Sequence, residues 1–580
     1  MNYLRRLNPY LLRYKKKLLL GLLVITLGAL FTNVIPFIIK TAIDSMKAGV
    51  STSVLLEYGL MTIGFSILSG VFLYLTRQTV IVVSREIEND LRNDFLIHIL
   101  DQDQQYFHYH PTGETMALAT NDVSAVRNFL GPGIMYTSET VVNLLIATTL
   151  MFTFSVELTL IAVAPIPIIS WIVYRVGKSI NEKFEDVQEQ FAVLTTKAQE
   201  NLSGIKIVKS YVREESEIES FRRLSVDYMQ KNMKLAKVQS FSFPMMFLLT
   251  GFSVLLVLYF GGTKIINGTL TIGELTAFII YLGLLTWPII SFGWIINLTQ
   301  RANASMKRLC EVFDSKPEID DSSANNINGN LQSVIEFRNV SFKYAENLPY
   351  VLKNVNLKIN SGETLGIIGH TGSGKTTLVN LIPRLFEVEE GNIFIGSHDI
   401  KTVPLGELRK MIGYVPQETF LFSDTIEHNI SYGLDEANKE RILYASKIAQ
   451  IYKDVDTFPK RFDTVLGERG INISGGQKQR TSLARAIYTN PEILMLDDAF
   501  AAVDTYTEEE ILNGLNEVRK NRTTILISHR VSTIKNSDRI IVLKDGTIAE
   551  EGTHEALIQK EGIYSDIYFK QLLEEELKEL

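Results

Sequence analysis

The sequence predicts two folds in series: an α-helical transmembrane domain of six spans, then an α/β domain built around a P-loop. Three observations predict it. Six mostly apolar runs of about 20 residues fall within the first 300 residues, and runs of that length cross a bilayer core as helices. The composition changes between residues 310 and 335, after which the chain reads as an ordinary charged globular domain. Beyond that change, residues 364–382 read strand, glycine loop, helix.

The chain has 580 residues, room for two to four domains. Its net charge is −7, so there is no basic excess of the kind that binds nucleic acid. Mean hydropathy is slightly positive despite 21% charged residues, an average over two unlike halves. The single cysteine, Cys310, excludes an intramolecular disulfide and a Cys-based zinc cluster.

Arg5, Arg6, Arg13, Lys15, Lys16 and Lys17 precede an apolar run from Leu18 to Ile39. That run is too long for a signal-peptide core, and no small-residue cleavage site closes it. It is a first membrane helix. The other runs are 55–76, 135–154, 157–177, 243–262 and 274–297. Six such runs argue against buried helices of a soluble protein. Loops after the first, third and fifth runs are short and cation-poor. The long ones, 77–134 and 178–242, are rich in Lys and Arg, which places them and the N-terminus in the cytoplasm. FEDVQEQFAVLTTKAQENL (184–202) has apolar residues at helical spacing and no proline. The spans are therefore expected to continue as helices beyond the bilayer and to reach a cytoplasmic partner.

Pro36, Pro165, Pro167, Pro244 and Pro288 fall inside runs, where membrane helices tolerate proline or kink at it. Glu139, Asn143, Trp171, Trp287 and Trp294 are candidate cavity residues. The tryptophans fit interfacial anchors equally well.

Residues 1–315 thus form the transmembrane domain, the polar stretch 316–333 a linker, and residues 334–580 the nucleotide domain. VIEFRNVSFKY (334–344) alternates as a strand. LGIIG then feeds Gly369-His370-Thr371-Gly372-Ser373-Gly374-Lys375-Thr376, followed by Thr377 and an apolar helix. This is G-x-x-x-x-G-K-[ST] in the context that gives it meaning. The glycines let backbone N–H groups close on phosphates at a helix N-terminus. Lys375 would reach the β- and γ-phosphates, and the Thr376 hydroxyl would ligate Mg²⁺. About 120 residues downstream, the apolar strand Ile493–Leu496 ends in Asp497, a Mg²⁺-side carboxylate. Asp498 is placed either to direct the attacking water or to cap the next segment.

Between these halves lies Ile473-Ser474-Gly475-Gly476-Gln477. It resembles the LSGGQ signature of ATP-binding-cassette (ABC) proteins, with isoleucine for leucine. The rest of that family's set stands in order. Tyr344 matches the adenine-stacking aromatic, Gln417 the Q-loop glutamine that also reaches the metal, and VLGERG (465–470) the X-loop of exporters. Asp504 matches the D-loop aspartate and His529 the switch histidine. The whole chain resembles a type I (B-family) ABC exporter half-transporter. QYFHYHPTGETMALATNDV (105–123) and ENLSGIKIVKSYVRE (200–214) are similar to the segments around that family's coupling helices. The resemblance implies a helical signature subdomain and a dimer that sandwiches two ATP molecules. Each phosphate loop faces the partner's Ser474, Gly475, Gly476 and Gln477. It also implies ATP-driven alternating access, with amphipathic small molecules, drug-like compounds or lipids as cargo and membrane lipid as the surroundings. A chain without targeting extensions is expected in a bacterial inner membrane, with the ATP domain in the cytoplasm.

One position departs from the family. Glutamate is usual where this chain has Asp498, and Phe500 and Ala501 stand where many members have threonine and serine. Aspartate is shorter by one methylene, about 1.5 Å of reach. A misplacement of about 1 Å costs on the order of a hundredfold in rate. The pattern resembles the degenerate-site chain of heterodimeric ABC exporters, although His529 is retained. A homodimer with two slow sites, or a regulatory ATP-binding subunit gating a partner, are the rival expectations.

Overall fold

Each apolar run lies in helix. The computed structural model describes residues 3–325, 331–520 and 522–579. A short helix α1 (Asn8–Arg13) leads into α2 (Lys15–Lys47) and α3 (Thr52–Thr76), which continues through a π-helical turn at Arg77–Ile81 into α4 (Val82–Leu100). After the short α5 (Gln104–Tyr109), a second π turn at Leu118–Asp122 and a third at Phe129–Gly133 precede α6 (Ile134–Phe154). Then come α7 (Val156–Val163), α8 (Ile166–Ser203), α9 (Ile205–Ser210), α10 (Glu214–Ile266) and α11 (Ile272–Asp314). Among the described residues, three helices are long and apolar enough to cross a membrane: Lys15–Lys47, Thr52–Leu100 and Thr112–Phe154. Thr250–Ile266 and Ile272–Thr286 are shorter apolar helices.

The run 157–177 is not one helix. Its chain breaks between α7 and α8 at Pro165, which has no N–H to continue the ladder. The connection from α6 is a single residue, Ser155, whose hydroxyl accepts the Leu158 N–H. By contrast α2 runs through Pro36, and the Tyr281 hydroxyl donates to the Asn33 carbonyl in the turn before it, at 2.7 Å. A neighbour satisfying a loosened carbonyl is how bundles tolerate proline. The long loops are mostly helical, as expected. The 53 residues of α10 span roughly 80 Å at 1.5 Å per residue. The side chains of Trp287 and Pro288 lie outside the described residues.

The chain divides into two compact units, residues 1–101 with 111–315, and residues 102–110 with 316–580. In the first, Met151, Leu158, Val257, Phe278 and Tyr281 pack α6, α7, α10 and α11 together. Asp44 accepts the Gly273 N–H at 2.9 Å and the Thr271 hydroxyl at 2.8 Å, tying the end of α2 to the start of α11. Among the described residues, three of the six N-terminal cations are paired: Lys17 with Glu86 (2.6 Å), Arg13 with Asp90 (2.5 Å), and Arg6 with Asp314. On α4, Glu88 is buried beneath Arg92 (2.8 Å), Arg85 (3.1 Å) and Arg127 (3.6 Å). Glu88→Ala leaves three guanidinium groups converging without a counter-charge. We expect a loss of about 3 kcal/mol, the low end for a broken buried pair because Arg85 and Arg92 are partly solvated. A thermal melt of the purified chain measures it.

The second unit contains two sheets. A six-stranded sheet has the order β10-β9-β3-β8-β7-β6, and a four-stranded antiparallel sheet the order β2-β1-β4-β5. The strands are β1 (Ile335–Phe342), β2 (Leu352–Ile359), β3 (Thr364–Gly369), β4 (Glu390–Ile395), β5 (His398–Asp399), β6 (Ile412–Val415), β7 (Ile493–Asp497), β8 (Thr523–Ile527), β9 (Arg539–Lys544) and β10 (Thr547–Gly552). β3, β7 and β8 are buried along their whole length, as strands covered on both faces must be. Of the expected linker, residues 326–330 lie outside the described residues. Its first part is pinned, Asp321 accepting the Leu405 N–H at 2.8 Å. Residues 102–110, assigned from sequence to the first domain, belong here. Asp103 caps α5 and also accepts the Glu318 N–H at 2.7 Å.

Candidate functional site

The sheet's parallel core decides where chemistry can occur. β3 pairs with β8 and β8 with β7, so all three deliver their carboxyl ends to one edge, with Asp497 level with Ile527. Ligands of open α/β sheets bind in the crevice outside those ends. There a cleft of about 170 Å³ is lined by Gly372, Gly374, Lys375, Thr376 and Thr377, and by Gln417, Asp497, Asp498 and His529.

The phosphate loop leaves β3 through Gly369, where a Cβ would run into the Leu543 carbonyl. It enters helix α12 (Lys375–Asn380) through Gly374 at φ 98°, a left-handed conformation that glycine adopts at no steric cost. Lys375 is 6% exposed, and its Nζ donates to the carbonyls of Gly369 (2.9 Å) and His370 (3.0 Å). Burial lowers its pKa, opposed by Asp497 and Asp498. Burial likewise lowers the His529 pKa, with Lys375 adding to the shift and Asp498 opposing it.

Asp497 is 1% exposed and accepts the Thr376 hydroxyl. Among the described residues its Oδ2 is buried with no hydrogen-bond partner, and so is the Ser373 hydroxyl beside the loop. A buried carboxylate oxygen without a donor, next to a threonine hydroxyl, fits a hard divalent cation completed by phosphate oxygens and water. Burial raises the Asp497 pKa, with Asp498 adding to it and Thr376 and Lys375 opposing. A folded pKa above the unfolded value gives stability that is present below about pH 3.9 and is lost as pH rises. At neutral pH the charged Asp497 therefore costs stability. Asp497→Asn should raise the melting temperature of the nucleotide-free chain by a few degrees. It should also abolish the extra stabilisation by ATP that depends on Mg²⁺, a pair of shifts that a melt with and without chelator reads.

Asp498 is half-buried at φ 49°, its N–H donating to the Ile527 carbonyl at 3.0 Å. The segment after it is held from two sides. Ala499 and Phe500 bury their side chains in the main core cluster, which accounts for an apolar ring at Phe500. Gln479 of helix α13 (Gly475–Tyr488) accepts the Ala502 N–H at 2.9 Å and donates to the Asp498 carbonyl at 3.5 Å. Gln571, near the C-terminus, accepts the Val531 N–H (2.8 Å) and donates to the His529 carbonyl (2.6 Å). Neither glutamine was singled out from sequence, and only a packed neighbour reveals their roles.

Tyr344 reaches the site through its hydroxyl, 2.9 Å from the Thr377 Oγ1, and its ring stacks 6.4 Å from His108 of α5. The signature residues are not brought into the cleft. Ser474 caps α13, accepting the Gln477 N–H at 3.2 Å while the Gln477 side chain accepts the Ser474 N–H at 3.0 Å. Ser474 and Gly475 are exposed, and Gly476 lies so close to the Ala502 carbonyl that no side chain would fit. Asp504 caps helix α14 (Thr505–Arg519), accepting the Thr507 N–H at 2.9 Å, which lowers its pKa.

The phosphate-loop cleft and an apolar helical bundle on one chain define a membrane transport ATPase, and the comparisons agree. The ABC transporter transmembrane region matches residues 18–289, and the ABC transporter domain matches residues 352–501. A probable multidrug resistance ABC transporter ATP-binding/permease protein of Bacillus subtilis, YheI, is 36% identical over 98% of this chain and 96% of its own. The ATP-dependent lipid A-core flippase of Desulfotalea psychrophila is 34% identical over 98% of this chain and 99% of its own. The solved structure of a bacterial Atm1-family ABC exporter with ATP bound aligns at a TM-score of 0.81 and 27% identity. That alignment covers 96% of this chain and 99% of that one. The chain belongs to the ABC transporter family, as a type I exporter. It is an integral membrane protein that binds ATP and couples its hydrolysis to transport.

Proposed function

We propose that the chain is one half of an exporter that moves amphipathic small molecules, drug-like compounds or lipids, out of the cytoplasmic side of a bacterial inner membrane. It would have six spans, with the N-terminus and the ATP domain in the cytoplasm. The observation that carries the two-chain reading is the division of the site. The cleft holds Lys375, Asp497 and His529, while Ser474 and Gly475 are exposed and do not line it. The exposed apolar tip around α9, with Ile207, Tyr211 and Val212 each at least 65% exposed, also supports a second chain. The names of the relatives support the cargo class.

In this reading Tyr344 stacks on adenine, and the glycine loop and Lys375 hold the phosphates. Ser474, Gly475, Gly476 and Gln477 of one chain close on the ATP of the other, with Asp504 at the seam. Mg²⁺, held by Thr376, Asp497 and Gln417, would neutralise charge on the β- and γ-phosphates. Asp498 orients the attacking water and His529 faces the γ-phosphate. Because Asp498 is short, this chain's own site hydrolyses slowly, and the favoured assembly is a heterodimer whose partner supplies a competent site. The retained His529 favours the second reading, a homodimer with two slow equal sites. ATPase of the purified chain alone, before and after Asp498→Glu, tests this. Robust ATPase and transport by the lone wild-type chain would overturn the heterodimer.

A further inference from the structure

We infer that the helical bundle carries, within each single chain, a site for a protonated amine attached to an apolar body, with Glu139 as its counter-charge. This rests on the exporter reading and names a substrate class for it. The site is a cavity of about 290 Å³ walled by α2, α3, α6 and α11 of one chain. Glu139 of α6 is its only charged lining residue, and among the described residues it forms no hydrogen bond or ion pair. Arg77, at the end of α3, acts on Glu139 only through its field: it is exposed and forms no ion pair with Glu139 among the described residues. An intramembrane carboxylate is costly unless a partner is supplied.

The chemistry of the wall selects the partner. Asn143, one turn beyond Glu139, accepts from the Asn33 amide at 2.8 Å. Thr32 and Ser69 occupy each other at 2.7 Å. With those groups engaged and Glu139 without a donor among the described residues, a charged N–H donor fits better than a quaternary cation. An anion would face Glu139, and a divalent metal would find one carboxylate where it needs several oxygens. Ile25, Ala29, Leu73 and Leu284 line the rest, an apolar wall for the ligand body. The depth suits an amphipath. Glu139 lies five residues into α6, about 7–8 Å from its cytoplasmic start. Two of the three π turns, Arg77–Ile81 and Phe129–Gly133, lie toward that same end. They meet where a Cβ on Gly131 would press on Ser84 and Ile81. π turns inside long helices recur at functional sites.

The test uses the full chain in lipid nanodiscs and two probes with one body, a dansyl alkylamine and its uncharged N-acetyl derivative. The wild type should bind the amine at least tenfold tighter than the acetylated probe, at one per chain. Glu139→Gln should erase that preference, bringing the amine to the affinity of the acetylated probe, whose own binding stays as in the wild type. Gly283→Leu fills space that is open around its Cβ, so it should weaken both probes. Retained amine preference in Glu139→Gln, or wild-type affinity in Gly283→Leu, overturns the site. In either case ATP hydrolysis and transport by the same preparation judge the exporter reading separately.

Discussion

Replacing Asp498 with glutamate should speed ATP hydrolysis by the purified chain on the order of a hundredfold. The carboxylate gains one methylene, about 1.5 Å, on a backbone already anchored. The Asp498 N–H is bonded to Ile527, and Ala499 and Phe500 are buried immediately after it. With the main chain fixed, reach is the only freedom the substitution alters. The gain has a cost. Asp498 sits at φ 49°, where aspartate is several-fold enriched and a longer side chain costs about 1–2 kcal/mol. The variant should therefore melt a few degrees lower while turning over faster. Steady-state ATPase with a parallel melt checks both. An unchanged rate would mean that Asp498 already positions its water.

Lys375→Ala should lower hydrolysis by about 10²–10³-fold, the range for removing a preorganised charge from a developing anion. Lys375 is the cation facing Asp497 and Asp498 across the cleft, and it holds the loop by bonds to Gly369 and His370. Without it, two carboxylates face incoming phosphates alone, so ATP affinity should fall as well as rate. The stabilisation that ATP gives in a melt separates the two losses. A variant that keeps both ATP-induced stabilisation and rate would remove Lys375 from the site.

What was legible in the sequence was local. A strand, a glycine loop and a helix within residues 364–382 form one supersecondary unit, so motif and geometry coincide. Asp497 was legible because an apolar run ended in acid, and the apolar helices because about 20 apolar residues have few other uses. Tertiary features were not. Nothing near Gln479 or Gln571 in the chain marks a polar clamp, since each acts on a loop distant in sequence. The three π turns leave no compositional trace. The break at Pro165 and the continuity at Pro36 contain the same residue, and only the Tyr281 hydroxyl beside Asn33 tells them apart. Ser474 and Asp504 carried signals for helix caps and for ligand contacts at once, and the single chain displays the cap.

The most direct test of a short carboxylate in a site shared by two chains is the fate of bound nucleotide. The purified wild-type chain is incubated with radiolabelled ATP and Mg²⁺, freed of excess nucleotide, and its bound label is identified over minutes. The account predicts that the label stays ATP in the lone chain, and that Asp498→Glu converts it to ADP. ADP appearing in the wild type at the same rate as in Asp498→Glu would contradict it.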